Sequence, residues 1–336
     1  MSKSKHYYIE ESYSSLYNAG ILRKHHELQM SKMGFVPLRF TQVHQGNIFV
    51  KINRIVQAIK MAFIPGKKSL VFFHFPILAK AHALVLNVLK WRGIPTVAII
   101  VDIDGLRDNN PSILKAEIYN LAKFKYIVAH NAAMKQYILE HLPNVKVLTI
   151  ELFDYHAAAP GLAKTFSTSV CIAANHSKGQ YVYQLQQLMP VQFYLYGEGY
   201  NSSLQPAATN VHYQGVVAPE TLPALAVGSF GLVWDGPSLT NCDAYLLYNN
   251  PHKLSLYLTA GMPVIVWEKS AVAAFVKKHQ IGITIETLTG LNNDLSKVSE
   301  ETYNLMQQNA TALGQKAGSG WYLKNIIDKI QANARH

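Results

Sequence analysis

Two short groups of residues in this chain are of types and spacings that could do chemistry. The first is Asp102-Ile103-Asp104-Gly105-Leu106-Arg107, which follows the apolar run Pro95 to Val101. That run predicts a buried strand, so Asp102 and Asp104 would stand at its carboxyl end with both carboxylates on one face. One of them could take the proton from an attacking hydroxyl. The pair could also begin an oxygen-ligand site for a divalent cation, or cap the next turn with Arg107 as an ion partner. The second group is Tyr248-Asn249-Asn250-Pro251-His252-Lys253-Leu254-Ser255-Leu256-Tyr257-Leu258. Asn250 reads as a helix N-cap and Pro251 as the first helical residue, where its missing N–H costs nothing. Leu254, Tyr257 and Leu258 make one apolar face, Gly261 ends the helix and Pro263 bars its continuation. Free N–H groups of the first turn, the helix dipole and Lys253 together favour an anion, and a diphosphate would suit that place. The plainer alternative is a capped helix whose lysine points to water.

These groups need elements to position them, and the sequence alternates apolar strands with amphipathic helices, the pattern of parallel α/β layers. Strands are expected near Ser69–Phe75, Thr96–Val101, Tyr126–Ala129 and Lys146–Ile150, with helices at Ile77–Trp91, Ser112–Lys123 and Ala132–His141. A second series follows at Ser169–Ala173, Gln192–Leu195, Val211–Tyr213, Gly231–Trp234 and Val264–Trp267. Between the two series lies Asp154-Tyr155-His156-Ala157-Ala158-Ala159-Pro160-Gly161-Leu162-Ala163, which has linker composition. Two doubly wound halves joined there would leave a cleft at the carboxyl ends of their strands, where open α/β sheets bind ligands.

Bulk properties narrow the class. The 336 residues suffice for two domains of about 150 each, and an apolar fraction of 49% says folded. Cys171 and Cys242 are the only cysteines and have no ligand-spaced partner, which suits a reducing cytoplasm. The first residues, Met1 to His6, are polar and show no signal-peptide core. Leu70 to Leu89 is interrupted by His74, Pro76, Lys80 and His82, so it reads as strand plus helix and not as a membrane span. A net charge of +11 suits anionic partners: phosphorylated sugars, acidic headgroups or nucleic acid. Zinc-finger spacing and aromatic RNA-binding runs are missing, which argues against nucleic acid. The histidines lack metal-ligand spacing, and neither a nucleophile elbow nor a Walker loop occurs. Leu195-Tyr196-Gly197-Glu198-Gly199 falls short of a dinucleotide fingerprint, because Ser202 stands where its third glycine would be.

Several segments taken together carry a family resemblance. They are Asp102 to Arg107, Ala129-His130-Asn131, Ile150 to Tyr155, Gly231-Leu232-Val233-Trp234-Asp235-Gly236, Asn249 to Leu258, Gly261 to Trp267, Ser270 to Phe275 and Ile281-Gly282. In this order they resemble the bacterial galactofuranosyltransferase-like enzymes of surface-polysaccharide synthesis and the related glucosyltransferases of serine-rich adhesins. The resemblance implies the GT-B architecture: α/β, two doubly wound Rossmann-like domains with a cleft between them. It implies an acceptor-side domain over residues 1–155, a nucleotide-sugar domain over 156–315 and a C-terminal helix over 316–336 crossing back to the first. The implied reaction moves a hexosyl group, galactofuranose or glucose, from a UDP-sugar to a hydroxyl of a lipid-linked or protein-linked glycan, without metal or other cofactor. Cytoplasmic location follows, with peripheral attachment at the inner membrane face and a homo-oligomer both compatible.

By the same resemblance Asn175 and Lys178 line the donor phosphates, with Ala174 where relatives carry glycine. Val211-His212-Tyr213-Gln214-Gly215 packs along the nucleobase, and Tyr196 and Gly197 end a strand at the same edge. Asp235, Asn249, Asn250 and Lys253 complete the donor side, while Asn18 and Gly20 face it from the first domain. Asp102, Asp104 and Arg107 are the catalytic candidates, with Asp102 favoured as base. Two departures matter. Val101 stands where relatives often carry histidine, and the loop Asp235 to Leu247 is shorter and lacks the family's glycines. The two-domain plan also serves nucleotide-sugar epimerases, and the altered loop would suit a non-catalytic nucleotide-sugar-binding partner.

Overall fold

In the computed structural model, which describes residues 5–11, 20–40, 48–159, 161, 164–204 and 208–334, the chain forms two compact units. One comprises Met1–Ile150 with Leu323–His336, the other Glu151–Tyr322.

The first unit is built on a six-stranded, all-parallel sheet in the order β2-β1-β3-β4-β5-β6. Its strands are β1 (Tyr7–Ile9), β2 (Val36–Leu38), β3 (Val71–Phe75), β4 (Thr96–Ile100), β5 (Tyr126–Ala129) and β6 (Lys146–Thr149). The helices are α1 (Ile21–Lys32), α2 (Ile48–Phe63), α3 (Lys80–Trp91), α4 (Asp104–Arg107), α5 (Pro111–Leu121) and α6 (Ala132–His141). Every residue of β3, β4 and β5 is buried, because helices cover both faces of such a sheet. That is why these strands appear in the sequence as unbroken apolar runs. Phe73, Phe75, Ala98, Ile100, Ile127 and Val85 meet in one core.

The second unit repeats the scheme with the order β12-β11-β10-β7-β8-β9, again all parallel. Here the strands are β7 (Ser169–Ala173), β8 (Gln192–Tyr196), β9 (Val211–Tyr213), β10 (Phe230–Val233), β11 (Val264–Trp267) and β12 (Gly282–Ile285). The helices are α7 (Leu222–Leu225), α8 (His252–Thr259), α9 (Ala273–His279), α10 (Leu291–Ser296), α11 (Glu300–Gly318) and α12 (Trp321–Ala334), the last counted with the first unit from Leu323 on. From β7 the chain winds to β8 and β9 on one side, then returns to lay β10 against β7 and continue the other way. The carboxyl ends of β7 and β10 therefore flank a topological switch point, the ligand-binding place of open α/β sheets.

Two local expectations are corrected. The stretch of linker composition begins as fixed structure: Asp154 and Tyr155 are buried, Asp154 Oδ1 accepts from the Tyr322 amide at 3.0 Å, and the Tyr155 amide donates to Ala317 O at 3.2 Å. Pro160, Leu162 and Ala163 lie outside the described residues. The strands β1, β2 and β12 were not expected at all. Each has three or four residues; β2 and β12 are sheet edges, and β2 contains Pro37, which an edge tolerates because it needs no donor there. Among the described residues no helix is long and apolar enough to cross a membrane.

Candidate active site

On the second unit, the loops leaving β7, β8 and β9 are laced together by backbone. The Ala174 amide donates to Tyr196 O at 3.0 Å, the His176 amide to Glu198 O at 2.8 Å and the Gly197 amide to Gly215 O at 2.9 Å. Gly197 sits at φ +124°, and a Cβ there would lie 2.0 Å from Ala174 O, so the approach of the two loops requires glycine. Asn175 Oδ1 accepts from the Ser177 amide at 3.0 Å, which shapes the turn and leaves Asn175 and Lys178 exposed at its tip. Beneath them His176 is fully buried; burial lowers its pKa to about 4, and it is held neutral against Tyr196 O at 3.2 Å. The Tyr213 hydroxyl donates to Gly197 O at 2.8 Å, and its ring, 40% exposed, packs on Tyr200 with centroids 5.0 Å apart. An aromatic face with one side open can stack on a flat ring such as a nucleobase. Gly215, beside it, has open space where a side chain would be.

Across the switch point, β10 runs through Trp234 into Asp235. Lys253, in the first turn of α8, donates to Asp235 Oδ1 at 2.6 Å and to Trp234 O at 3.2 Å. Its side chain is only 14% exposed, so the ammonium is held in place and not waving in solvent. The Tyr257 hydroxyl, one turn on, accepts from the Ala173 amide at 2.8 Å and ties α8 to the end of β7. The lysine, the start of α8 and the β7 loop thus occupy one edge of the sheet. Asn249 Oδ1 is buried and has no hydrogen-bond partner, an acceptor available to a ligand hydroxyl or amide.

Asn250 behaves differently from the expectation. Pro251 takes the N-cap position of α8, and the Asn250 side chain, rather than capping the helix, donates to Glu151 O at 2.7 Å. Its neighbours join in: His252 bonds Asp154 O at 3.3 Å and Ser255 Oγ donates to Phe153 O at 2.7 Å. Part of the motif that reads as a ligand site therefore grips the backbone of residues 151–154. Tyr196 is also turned away from the loops. It is buried, its hydroxyl donating to Leu225 O at 3.3 Å and accepting from the Val227 amide at 3.0 Å, so it packs the unit.

On the first unit, Arg107 joins three carboxylates. Its Nη1 lies 3.1 Å from Asp102 Oδ2 and 3.0 Å from Asp104 Oδ1, and its Nε lies 2.9 Å from Asp108 Oδ1. The hydrogen bond to Asp108, with the Asp102 and Asp104 charges, drives the guanidinium pKa up against the opposing effect of burial. Asp102 and Asp104 keep about a third of their side chains exposed, 33% and 32%, so both carboxylates remain reachable. A residue that the sequence did not single out holds this loop. The buried Glu117 of α5 accepts from the Asp104 amide at 3.0 Å and the Gly105 amide at 2.8 Å, capping α4, and its desolvation raises its pKa. Gly105 packs so tightly on α5 that a Cβ would meet the Leu114 amide at 2.1 Å. Buried His130, with Nε2 3.1 Å from Ile100 O, backs the strand end; burial lowers its pKa to about 4. Gly20 is buried at the N-cap of α1, and Asn18 lies outside the described residues. Among the described residues no group of three or more His, Cys, Asp or Glu side chains could hold a metal ion.

Two parallel doubly wound sheets, one bearing a basic helix start at its switch point, define the two-domain glycosyltransferase architecture known as GT-B. Within it the chain belongs to the glucosyltransferase 3-like family, whose N-terminal domain matches residues 6–152 and whose C-terminal domain matches residues 170–330. It is 28% identical over 298 residues to the beta-1,6-galactofuranosyltransferase WbbI of Escherichia coli (strain K12), covering 83% of this chain and 85% of that one. It is 25% identical over 205 residues to glucosyltransferase 3 of Streptococcus gordonii, covering 60% and 59%. Among solved structures, Anabaena Alr3699/HepE in complex with UDP and glucose shares the fold with a TM-score of 0.64 at 14% identity, over 98% of this chain and 99% of that one.

Proposed function

We propose that this chain transfers a hexosyl group from a UDP-sugar to a hydroxyl of a glycan acceptor. The sugar is galactofuranose or glucose, the acceptor lipid-linked or protein-linked, and the reaction runs in the cytoplasm against the inner membrane face. The observation that carries the reading is Lys253, held at 2.6 Å from Asp235 in the first turn of α8, beside the switch point of the second sheet. Charge develops on the leaving diphosphate as the anomeric C–O bond breaks, and a fixed ammonium at the positive end of a helix dipole stabilises it there. Asn175, Lys178 and Asn249 add donors and acceptors around the phosphates and sugar, and Tyr213 offers its face to uracil. The relatives named above transfer galactofuranose and glucose, and the Anabaena structure holds UDP and glucose, which supports the same donor class here.

Roles divide between the units. The second holds the donor; the first supplies Asp102 as the base that takes the proton of the attacking hydroxyl as the new C–O bond forms. Arg107, 3.1 Å from Asp102 Oδ2 and 3.0 Å from Asp104 Oδ1, orients both carboxylates. It supplies the positive charge that a divalent cation would otherwise bring to the pair, and Lys253 with α8 does the same for the diphosphate, so this reading needs no metal. The test is incubation with UDP-glucose and UDP-galactofuranose over a panel of glycan acceptors, read by mass spectrometry, beside thermal shifts with UDP, GDP, dTDP and CMP. UDP should give the largest shift and an acceptor should gain one hexose. Isomerised sugar without an acceptor would make the chain an epimerase. Tight UDP binding with no transfer to any acceptor would make it a binding partner.

A further inference from the structure

The helix α2 (Ile48–Phe63) is apolar on the side where a surface helix should be polar. Ala58, Met61 and Ala62 are buried against the sheet. Phe49, Ile52, Val56, Ile59 and Phe63 recur at alternating spacings of three and four, which aligns them in one stripe along the helix, and all are exposed, Phe49 to 74%. Ile64 continues the stripe past the helix end, 55% exposed. The neighbouring α3 ends in Trp91, which is 79% exposed, and the Arg92 guanidinium lies 4.6 Å from the centroid of the Phe63 ring. A contiguous exposed patch of large apolar side chains marks an interaction surface.

The charges around it indicate what covers it. No Asp or Glu occurs from Leu28 to Val101, while Lys51, Lys60, Lys67, Lys68 and Lys90 are all exposed in that stretch. A second copy of the same face would set these lysines against their own kind. A bilayer with anionic headgroups meets both demands: the apolar stripe and Trp91 enter the headgroup and acyl boundary, and the lysines reach phosphate. We propose that α2, with Trp91, is an interfacial anchor that lays the first unit on an anionic phospholipid surface. It deepens the reading of a membrane-borne acceptor and rests on that reading for its purpose.

The full chain is sedimented with vesicles of phosphatidylcholine alone and of phosphatidylcholine with about one third phosphatidylglycerol. It should bind the second and not the first, and raised salt should weaken the binding. Ile52→Gln with Ile59→Gln should lower the bound fraction about ten-fold or more, as should Lys60→Gln with Lys67→Gln, because each removes part of one of the two attractions. Melting temperature, UDP affinity and mass in solution should not change, since all four positions are exposed. Equal binding to both vesicle types, or wild-type binding by the isoleucine variant, overturns the proposal. Loss of a wild-type oligomer in that variant also overturns it, by giving the face to a second copy. Sedimentation needs no sugar, so the two readings fail separately. Vesicle binding without transfer would sink the transferase, and transfer by a chain that ignores vesicles would sink the anchor.

Discussion

Replacing Lys253 by alanine removes the one feature on which the proposed donor site turns. In the folded chain its ammonium lies 2.6 Å from Asp235 Oδ1 and 3.2 Å from Trp234 O, and 14% of its side chain is exposed. A preorganised donor facing developing negative charge is worth about 10²–10³ in turnover, about 3–4 kcal/mol. The substitution also leaves Asp235 as an uncompensated negative charge close to where the diphosphate departs. Two unit charges about 4 Å apart at an effective dielectric constant of about 20 interact by about 4 kcal/mol, which pushes the loss toward the upper end of that range. Stability should fall far less. The aspartate is 43% exposed and regains water, so the pair contributes about 1 kcal/mol at most to folding. The two effects separate in one experiment: UDP release with saturating acceptor gives kcat and KM, calorimetry gives UDP affinity, and a urea titration gives stability. We expect kcat to drop about a hundred-fold or more, with the urea midpoint nearly unchanged. Adding Asp235→Asn to Lys253→Ala should recover part of the loss by removing the stranded charge. A lysine variant within about three-fold of wild-type kcat/KM would refute the role of Lys253 and of the helix start with it.

Asp102→Asn should cut turnover steeply and EDTA should leave it unchanged; loss on chelation that added Mn²⁺ restores would instead make Asp102 and Asp104 metal ligands. If neither Asp102→Asn nor Asp104→Asn slows transfer, the proton must go elsewhere, for instance to the departing diphosphate. Gly197→Ala should destabilise by roughly 1–3 kcal/mol in urea and weaken UDP binding, because its Cβ would meet Ala174 O at 2.0 Å from a φ of +124°; wild-type values for both would remove the laced loops from the argument. His130 and His176 are buried neutral with pKa about 4, below the unfolded value of about 6.5, so the unfolded chain binds more protons between those limits. Their contribution is complete above pH about 6.5 and drains away as pH falls toward 4, by about 3 kcal/mol each. The imidazole proton resonances should show midpoints near 4, and midpoints near 6.5 would refute neutral burial.

Much of this fold was legible because a parallel sheet covered on both faces writes itself as apolar runs. Tyr126–Ala129, Ser169–Ala173, Val211–Tyr213 and Val264–Trp267 stand where the runs put them. What failed to show was short or marginal. Tyr7–Ile9 is too brief to have a period, and Pro37 argues against a strand unless that strand is known to be an edge. The helix α2 does carry a helical period, with Phe49, Ile52, Val56, Ile59 and Phe63 in one stripe and Asn53, Arg54, Gln57 and Lys60 off it, but that apolar stripe is the exposed one, so the period does not point to the buried face.

The ion pairs of the candidate site join residues that the sequence singles out, and its supports do not. Lys253 and Asp235 are 18 residues apart and the structure pairs them, and Arg107 finds both aspartates of its own loop. Glu117 was invisible, since a glutamate inside a helix reads as solvent-facing until the turn that it caps is folded against it. Asn250 misled for a related reason. An asparagine before proline at a helix start signals a cap, yet its partner, Glu151 O, lies 99 residues earlier, and His252 and Ser255 reach back comparably far to Asp154 and Phe153. Glu151 itself holds φ at +68°, an uncommon backbone state for a side-chain-bearing residue. The turn that presents Lys253 to the switch point is therefore the same turn that fixes the chain where the second unit begins. Lys253 is half-buried on a helix that is anchored, with the asparagine before it, at three backbone carbonyls. Its position is consequently set by tertiary bonds, and no local pattern in the sequence could have shown that.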